Sequence, residues 1–205
     1  MNDLFLGFAK KIQSIAQIGL TFNENPFDIE RYHELREISF KMMEALSNTP
    51  IEKITKLFEH EQGYQTPKVD VRSLIFRGEE ILMIQEKMDH CWAPPGGFAD
   101  IGLTPYEIAV KEAKEESGLE IEPIRLIAVL DKNKHNHPPS PWDIYKLFIL
   151  CKETGGALQP GTETLDARFF KLSELPPLST GRITREQIEM AYEFKNDPGK
   201  LVVCE

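Results

Sequence analysis

Cysteine is scarce in this sequence of 205 residues: Cys91, Cys151 and Cys204 are far apart and lack metal-ligand spacing. Such a set excludes a disulfide framework and fits free thiols in a reducing, cytoplasmic setting, most simply as small buried hydrophobes. Long apolar runs are missing too, and no segment approaches the roughly 20 residues of a membrane span. The opening residues have no basic region, and Lys10, Lys11 and Gln13 interrupt their apolar positions, so no signal peptide is read there. Basic charge is the third shortage. Lys and Arg total 24 against 33 Asp and Glu, and the net charge of −9 opposes non-specific binding to nucleic acid or to an anionic membrane. What remains is a globular protein whose hydrophobic content of 41% is enough to fill a core.

The chain changes period near residue 65. Before it, Leu4, Phe5, Phe8, Ile12, Ile15, Ala16 and Gly19 share one helical face. Asp28 is placed to cap a second helix running to about Leu46, and a short third helix runs from Ile51 to about Glu61. The second helix is apolar on two sides, through Ile29, Tyr32 and Met43 and through Leu35, Ile38, Met42 and Leu46. One stripe packs on the first helix; the other meets either a second copy of the chain or the rest of the same chain. After Pro67, alternation in Val69–Ile75 and again from Ile81, around the turn Arg77-Gly78-Glu79, predicts a β-hairpin. A helix over Pro105–Ser117, strands over Ile124–Leu130, Ile144–Cys151 and Arg168–Leu172, and a helix from about Thr184 to Phe194 complete the expectation. The domains are therefore 1–65, all helical, and 66–205, α+β.

The helix at Pro105 carries the chemistry. Thr104, Pro105 and Glu107 form a capping box with proline at the first helical position, and Gly118 suits a left-handed C-terminal cap. Glu112 lies three and four residues before Glu115 and Glu116, so three carboxylates leave one side of the helix. Like charges at that spacing repel by about 0.2–0.5 kcal/mol per exposed pair, and the helix dipole opposes anions in the C-terminal half. Magnesium is the natural compensator, because it takes hard oxygen ligands and leaves positions for water and phosphate; manganese shares those preferences. An arbitrary E-x-x-E-E is more often a solvated face, here with Lys111 and Lys114 as partners.

The segment Gly97 to Leu119 resembles the Nudix box, G-x5-E-x7-R-E-U-x-E-E-x-G-U. Glu112, Ala113, Glu115, Glu116, Gly118 and Leu119 match, whereas Leu103 stands where Glu is expected and Lys111 where Arg is. The joint departure reads as loss of a supporting pair with the metal carboxylates retained. The resemblance implies a Nudix α/β/α sandwich with a mixed sheet, preceded by a small all-helical domain that mediates a homodimer. Ala16–Thr21, Arg31-Tyr32, Thr66–Arg72 and Leu178–Arg182 extend it to the subgroup acting on X-linked nucleoside diphosphates, with CDP-choline, cleaved to CMP and phosphocholine, ahead of ADP-ribose or nucleotide sugars. RNA ends and a non-catalytic ligand sensor are the alternatives; acidic charge disfavours the first and the retained carboxylates the second.

The same resemblance makes Glu112, Glu115 and Glu116 holders of Mg2+, with the Gly96 carbonyl as a further ligand. A general base comes either from the box or from a later loop, where Glu163, before the last strand, is the candidate, with an ordinary exposed loop residue as its other reading. For substrate, Lys132, Lys134 and His135 lie in a long loop that either reaches a phosphate or stays solvated. The pair His135-x-His137 lacks further ligands for a transition metal. Arg72 is a candidate for phosphate, and Trp92, Phe98, Trp142 and Tyr145 for stacking on a base, although each aromatic is more often a core residue.

Overall fold

A computed structural model describes residues 2–205. They form two compact units, one comprising the chain up to Pro67 with Pro138–Asp143, the other Lys68–His137 and Ile144–Glu205. Among the described residues no helix is long and apolar enough to cross a membrane.

The first unit contains α1 (Asn2–Phe22), α2 (Pro26–Ser47) and α3 (Ile51–Phe58). Asn25, not Asp28, caps α2: its side chain accepts the Phe27 amide at 3.0 Å, and Pro26 takes the first turn, where no amide hydrogen is needed. Asp28, already inside the helix, instead pairs with Arg31 at 2.7 Å. A Cβ on Gly19 would come within 2.4 Å of the Tyr32 ring, so the missing side chain lets α1 and α2 close. Leu6, Ala9, Phe40, Met43, Ile54 and Phe58 form the core, with the Phe40 and Phe58 rings stacked at 5.5 Å. Leu35 and Ile38, on the second stripe of α2, stay exposed.

Trp142 joins this helical core, and Lys10 Nζ bonds the Trp142 carbonyl at 3.1 Å and Asp143 at 3.0 Å. Trp142, a candidate for stacking on a base, is partly buried against this helical core, in keeping with the core role that was its other reading. Pro138–Asp143, expected within 66–205, group instead with the helical unit.

The second unit is built from β1 (Lys68–Arg77), β2 (Glu80–Glu86), β3 (Trp92–Ala93), β4 (Gly96–Phe98), α4 (Pro105–Ser117), β5 (Leu119–Asp131), β6 (Ile144–Gly156), β7 (Thr164–Lys171), α5 (Arg185–Asn196) and β8 (Val203–Cys204). The strand order is β3-β2-β1-β6-β5-β8, with β4 also on β1 and β7 also on β2. β1 runs parallel to β6 and β5 to β8, and the other pairs are antiparallel, so the sheet is mixed.

Alternation along the strands feeds two cores. Leu74, Ile81, Met83 and Phe148 face α5 with Ile188, Ala191 and Phe194, whereas Ile75, Leu82 and Ile149 face α4 with Ile108, Ala109 and Ala113. Helices thus cover both faces, giving the α/β/α layering. β5 and β6 reach farther than their apolar runs suggested, because partly exposed residues such as Glu122 and Lys152 pair across the sheet. The short β3, β4 and β8 carry too few residues for a period and were not foreseen.

Candidate active site

The glutamate helix forms as its sequence specifies. Thr104 Oγ1 accepts the Glu107 amide at 3.3 Å, Glu107 accepts the Thr104 amide at 2.8 Å, and Gly118 closes the helix at φ 74°. Glu112, Glu115 and Glu116 then emerge with very different burial: the Glu112 side chain is 15% exposed and that of Glu115 59%, whereas Glu116 is buried.

Two glycines bring β4 against them. Gly96 donates its amide to Glu116 Oε2 at 2.8 Å, and a Cβ there would lie 2.0 Å from the Val71 carbonyl, at a φ of 147° that only glycine adopts readily. A Cβ on Gly97 would meet Glu112 Oε2 at 3.3 Å. Burial pushes the Glu116 carboxyl up to about 7; the Gly96 bond and Arg72 oppose this, and Glu86 and Glu112 add to it. An ionised Glu116 therefore needs a nearby cation.

Lys111 supplies one for the outer carboxylates. Its Nζ lies 3.2 Å from Glu112 Oε1, 3.3 Å from Glu115 Oε2 and 3.2 Å from Asp100 Oδ2, and bonds to Asp100, Glu112 and Glu115 raise its pKa. The loop-to-helix pair expected to be lost with Leu103 is present in another form, Asp100 with Lys111. Leu103 itself is 38% exposed.

Among the described residues, no group of three or more His, Cys, Asp or Glu side chains is already gathered in metal-holding geometry. The donor set nevertheless suits a hard divalent ion: Glu112 and Glu115 converge on an ammonium, and Glu116 is a buried carboxylate short of positive charge.

Glu163 is exposed, in a loop docked on the end of α4. Thr164 Oγ1 donates to the Glu116 carbonyl at 2.9 Å, and Gly161 sits so close that a Cβ would lie 1.8 Å from the Glu115 carbonyl. Lys87 holds the other side of this loop through its amide to the Glu163 carbonyl at 3.1 Å and its Nζ to the Thr162 carbonyl at 2.6 Å.

The substrate candidates divide. Arg72 is buried and bidentate on Asp70, with Nη2 at 2.7 Å and Nε at 3.1 Å, and Nη1 reaches the Pro94 carbonyl at 3.3 Å. Buried, and with three of its five N–H donors engaged by Asp70 and the Pro94 carbonyl, it braces the turn into Gly96 rather than offering an open guanidinium to phosphate. Trp92 is core, edge-on to Phe170 at 4.9 Å, and is likewise withdrawn from stacking. Phe98 and Tyr145 are 49% and 43% exposed. Lys132 is buried in a 3-10 turn, Lys134 is exposed, and His135 Nε2 lies 3.1 Å from Glu205.

Several participants were missed. Asp70 lies beside Lys146 in the β1–β6 register, and the two are hydrogen-bonded. Burial opposes ionisation of Asp70, but Arg72 and Lys146 outweigh it and hold the carboxyl down at about 2. Burial lowers the pKa of Lys146, which shares that single carboxylate with Arg72. Glu86 is buried, pairs with Arg182 Nε at 2.7 Å and has its pKa raised by burial. The available signal was charge inside otherwise apolar strands, at Asp70, Arg72, Lys146 and Glu86.

A capped glutamate helix held against a glycine turn on a mixed, helix-covered sheet defines the Nudix class, and residues 66–191 match the NUDIX domain model. This chain belongs to the Nudix hydrolase family. Residues 3–58 match a second model, the UDP-X-like N-terminal oligomerisation domain. The chain is 49% identical to the Bacillus subtilis protein named "Putative ADP-ribose pyrophosphatase YjhB", over 95% of this chain and 94% of that one. A crystal structure of an ADP-ribose pyrophosphatase from Streptococcus suis is 41% identical, with a TM-score of 0.63, and covers 68% of this chain and 100% of its own. A UDP-X diphosphatase structure is 32% identical, with a TM-score of 0.65, over 100% of this chain and 99% of that one.

Proposed function

We infer that the chain hydrolyses the pyrophosphate of a nucleoside diphosphate linked to a second group, in the presence of Mg2+ or Mn2+. The observation that carries this reading is the set Glu112, Glu115 and Glu116 on a capped helix, with Gly96 donating to the most buried of them. A bound divalent ion would neutralise phosphate charge and polarise the phosphorus under attack. Glu112, Glu115 and Glu116 would hold it, with the Gly96 carbonyl. Glu163, on a loop fixed to the same helix end, takes the proton of the attacking water.

ADP-ribose leads as substrate, because the similar proteins of B. subtilis and S. suis carry it in their names, and UDP-linked compounds follow. CDP-choline, favoured from sequence resemblance, belongs to the same class and follows them. The helical unit forms a homodimer, supported by the match to an oligomerisation domain and by the exposed Leu4, Phe5, Phe8 and Ile15 on α1.

The test is hydrolysis of ADP-ribose, UDP-sugars, CDP-choline and short RNA with and without Mg2+, beside Glu112→Gln. Metal-dependent cleavage of a linked nucleoside diphosphate that is lost in Glu112→Gln is expected. Binding without cleavage would make the chain a sensor, and preference for RNA would remove the small-molecule reading.

A further inference from the structure

The segment Leu178–Arg182 was singled out in the sequence, yet the chemistry above leaves it without a role. We propose that Arg182, acting through Glu86, is a positioning residue that sets the Glu163 loop against the end of the glutamate helix. The inference rests on the reading of Glu163 given above.

The segment is anchored by its backbone to β3. Trp92 donates its amide to the Pro177 carbonyl at 2.9 Å, and Ser179 returns its amide to the Trp92 carbonyl at 2.8 Å. The Arg182 amide then turns back to the Ser179 carbonyl at 2.7 Å, and buried Ile183 follows. The guanidinium is fixed from two sides. Its Nη1 donates to Ser179 Oγ at 3.0 Å, and that hydroxyl donates to Asp89 Oδ2 at 2.6 Å. Its Nε lies 2.7 Å from Glu86 Oε1.

Glu86 stands at the junction of the catalytic elements. It faces Thr164 across the β2–β7 pair, where the register shifts between Gln85 and Glu86. Thr164 is the residue whose hydroxyl holds the Glu116 carbonyl, and Lys87, next in the chain, holds the carbonyls of Glu163 and Thr162. A displacement of Glu86 is therefore passed to both attachments of the Glu163 loop. The carboxylate is buried and interacts electrostatically with Arg72, Asp89 and Glu163 as well as with Arg182. Without Arg182 it loses its direct ion-pair partner beside two acidic neighbours, and the end of β2 moves to hydrate it. Because a displacement of about 1 Å away from the reacting atoms can cost a hundredfold in rate, such a brace matters without touching substrate.

The experiment compares Arg182→Met and Arg182→Lys with the parent, in the parental and Glu163→Gln backgrounds, using whole protein. Hydrogen exchange at the amides of Lys87 and Gly161 reads the loop directly and needs no substrate. Arg182→Met is expected to speed that exchange about tenfold, with amides of β6 unchanged. It should also lower kcat about tenfold to a hundredfold with KM within about twofold. Arg182→Lys recovers part of both effects, and Arg182→Met adds less than about twofold once Glu163 is Gln. Unchanged exchange at Lys87 and Gly161 overturns the proposal, as does a full multiplicative loss in the Glu163→Gln background. If Arg182→Met does not fold, Glu86→Gln carries the same measurements. If Glu163→Gln retains the parental rate, the proposed role of Glu163 falls, and the exchange result still decides whether Arg182 braces the loop.

Discussion

Two charged clusters in the catalytic unit differ in how their charge is balanced. Asp70, Arg72 and Lys146 lie buried across β1 and β6, with one carboxylate bonded by two cations. Glu112, Glu115 and Glu116 leave one helix with excess negative charge, and Lys111 is the cation shared by the outer two. The first cluster is closed by its own partners and braces the Pro94 carbonyl. The second is left with unbalanced negative charge, which the proposed divalent ion would offset. Residues that stabilise a fold tend to satisfy one another, whereas residues that bind are left in deficit until a ligand arrives.

The largest effect that separates the clusters should come from Glu116→Gln. Losing a proposed metal carboxylate should lower kcat by about a hundredfold or more, equivalent to about 3 kcal/mol, in a metal-dependent assay. The thermal midpoint should hold or rise, because a buried charge is removed. A fall in midpoint with activity intact would reverse the assignment of the two clusters.

Asp70→Asn should do the opposite, costing about 3–5 kcal/mol in urea denaturation at neutral pH, because two buried cations lose their anion. The sign with pH follows from its lowered pKa. The part of the contribution that depends on its charge is complete above the ordinary 3.8 and is lost as pH falls through about 2, so the gap between parent and variant should narrow across that window. A constant gap would show that Asp70 acts by packing alone.

His137 gives a second pH effect, outside both clusters. Its Nδ1 lies 2.7 Å from the Thr180 carbonyl, its Nε2 lies 3.1 Å from Gln187, and burial lowers its pKa from 6.5 to about 4. The unfolded chain takes up the proton first, so stability should decline as pH falls from 6.5 to 4. His137→Gln should flatten that decline in denaturant titrations. Smallest of all, Asp100→Asn breaks an exposed pair and should cost no more than about 1 kcal/mol, read as a thermal shift of a few degrees. A collapse of activity and stability there would make Asp100 a full replacement for the missing glutamate at position 103.

The elements legible in the sequence were those whose signals are local. Thr104, Pro105, Glu107 and Gly118 announced both ends of α4, and alternation from Val69 announced β1 and β2. Arg72, Trp92 and Trp142 were candidates for substrate, with core packing the favoured alternative for the two indoles, because a guanidinium or an indole looks the same in sequence whether its partner is a ligand or a neighbouring strand or helix. Here the partners were Asp70, Phe170 and the helical core. Lys111 behaved likewise: its departure from the box was visible, and its pairing with Asp100 was not.

The sequence by itself determined the capped helix, the spacing that puts three carboxylates on one side of it, and the change from helical to strand period near residue 65. These depend on contacts within a few residues, where backbone geometry leaves little choice. Only the tertiary structure decided that Gly96 feeds an amide to Glu116, that Asp70 meets Lys146, and that Arg182 reaches Glu86. Those pairings join residues 20, 76 and 96 positions apart, and sheet register and the docking of loops, rather than local propensity, bring them within hydrogen-bonding distance.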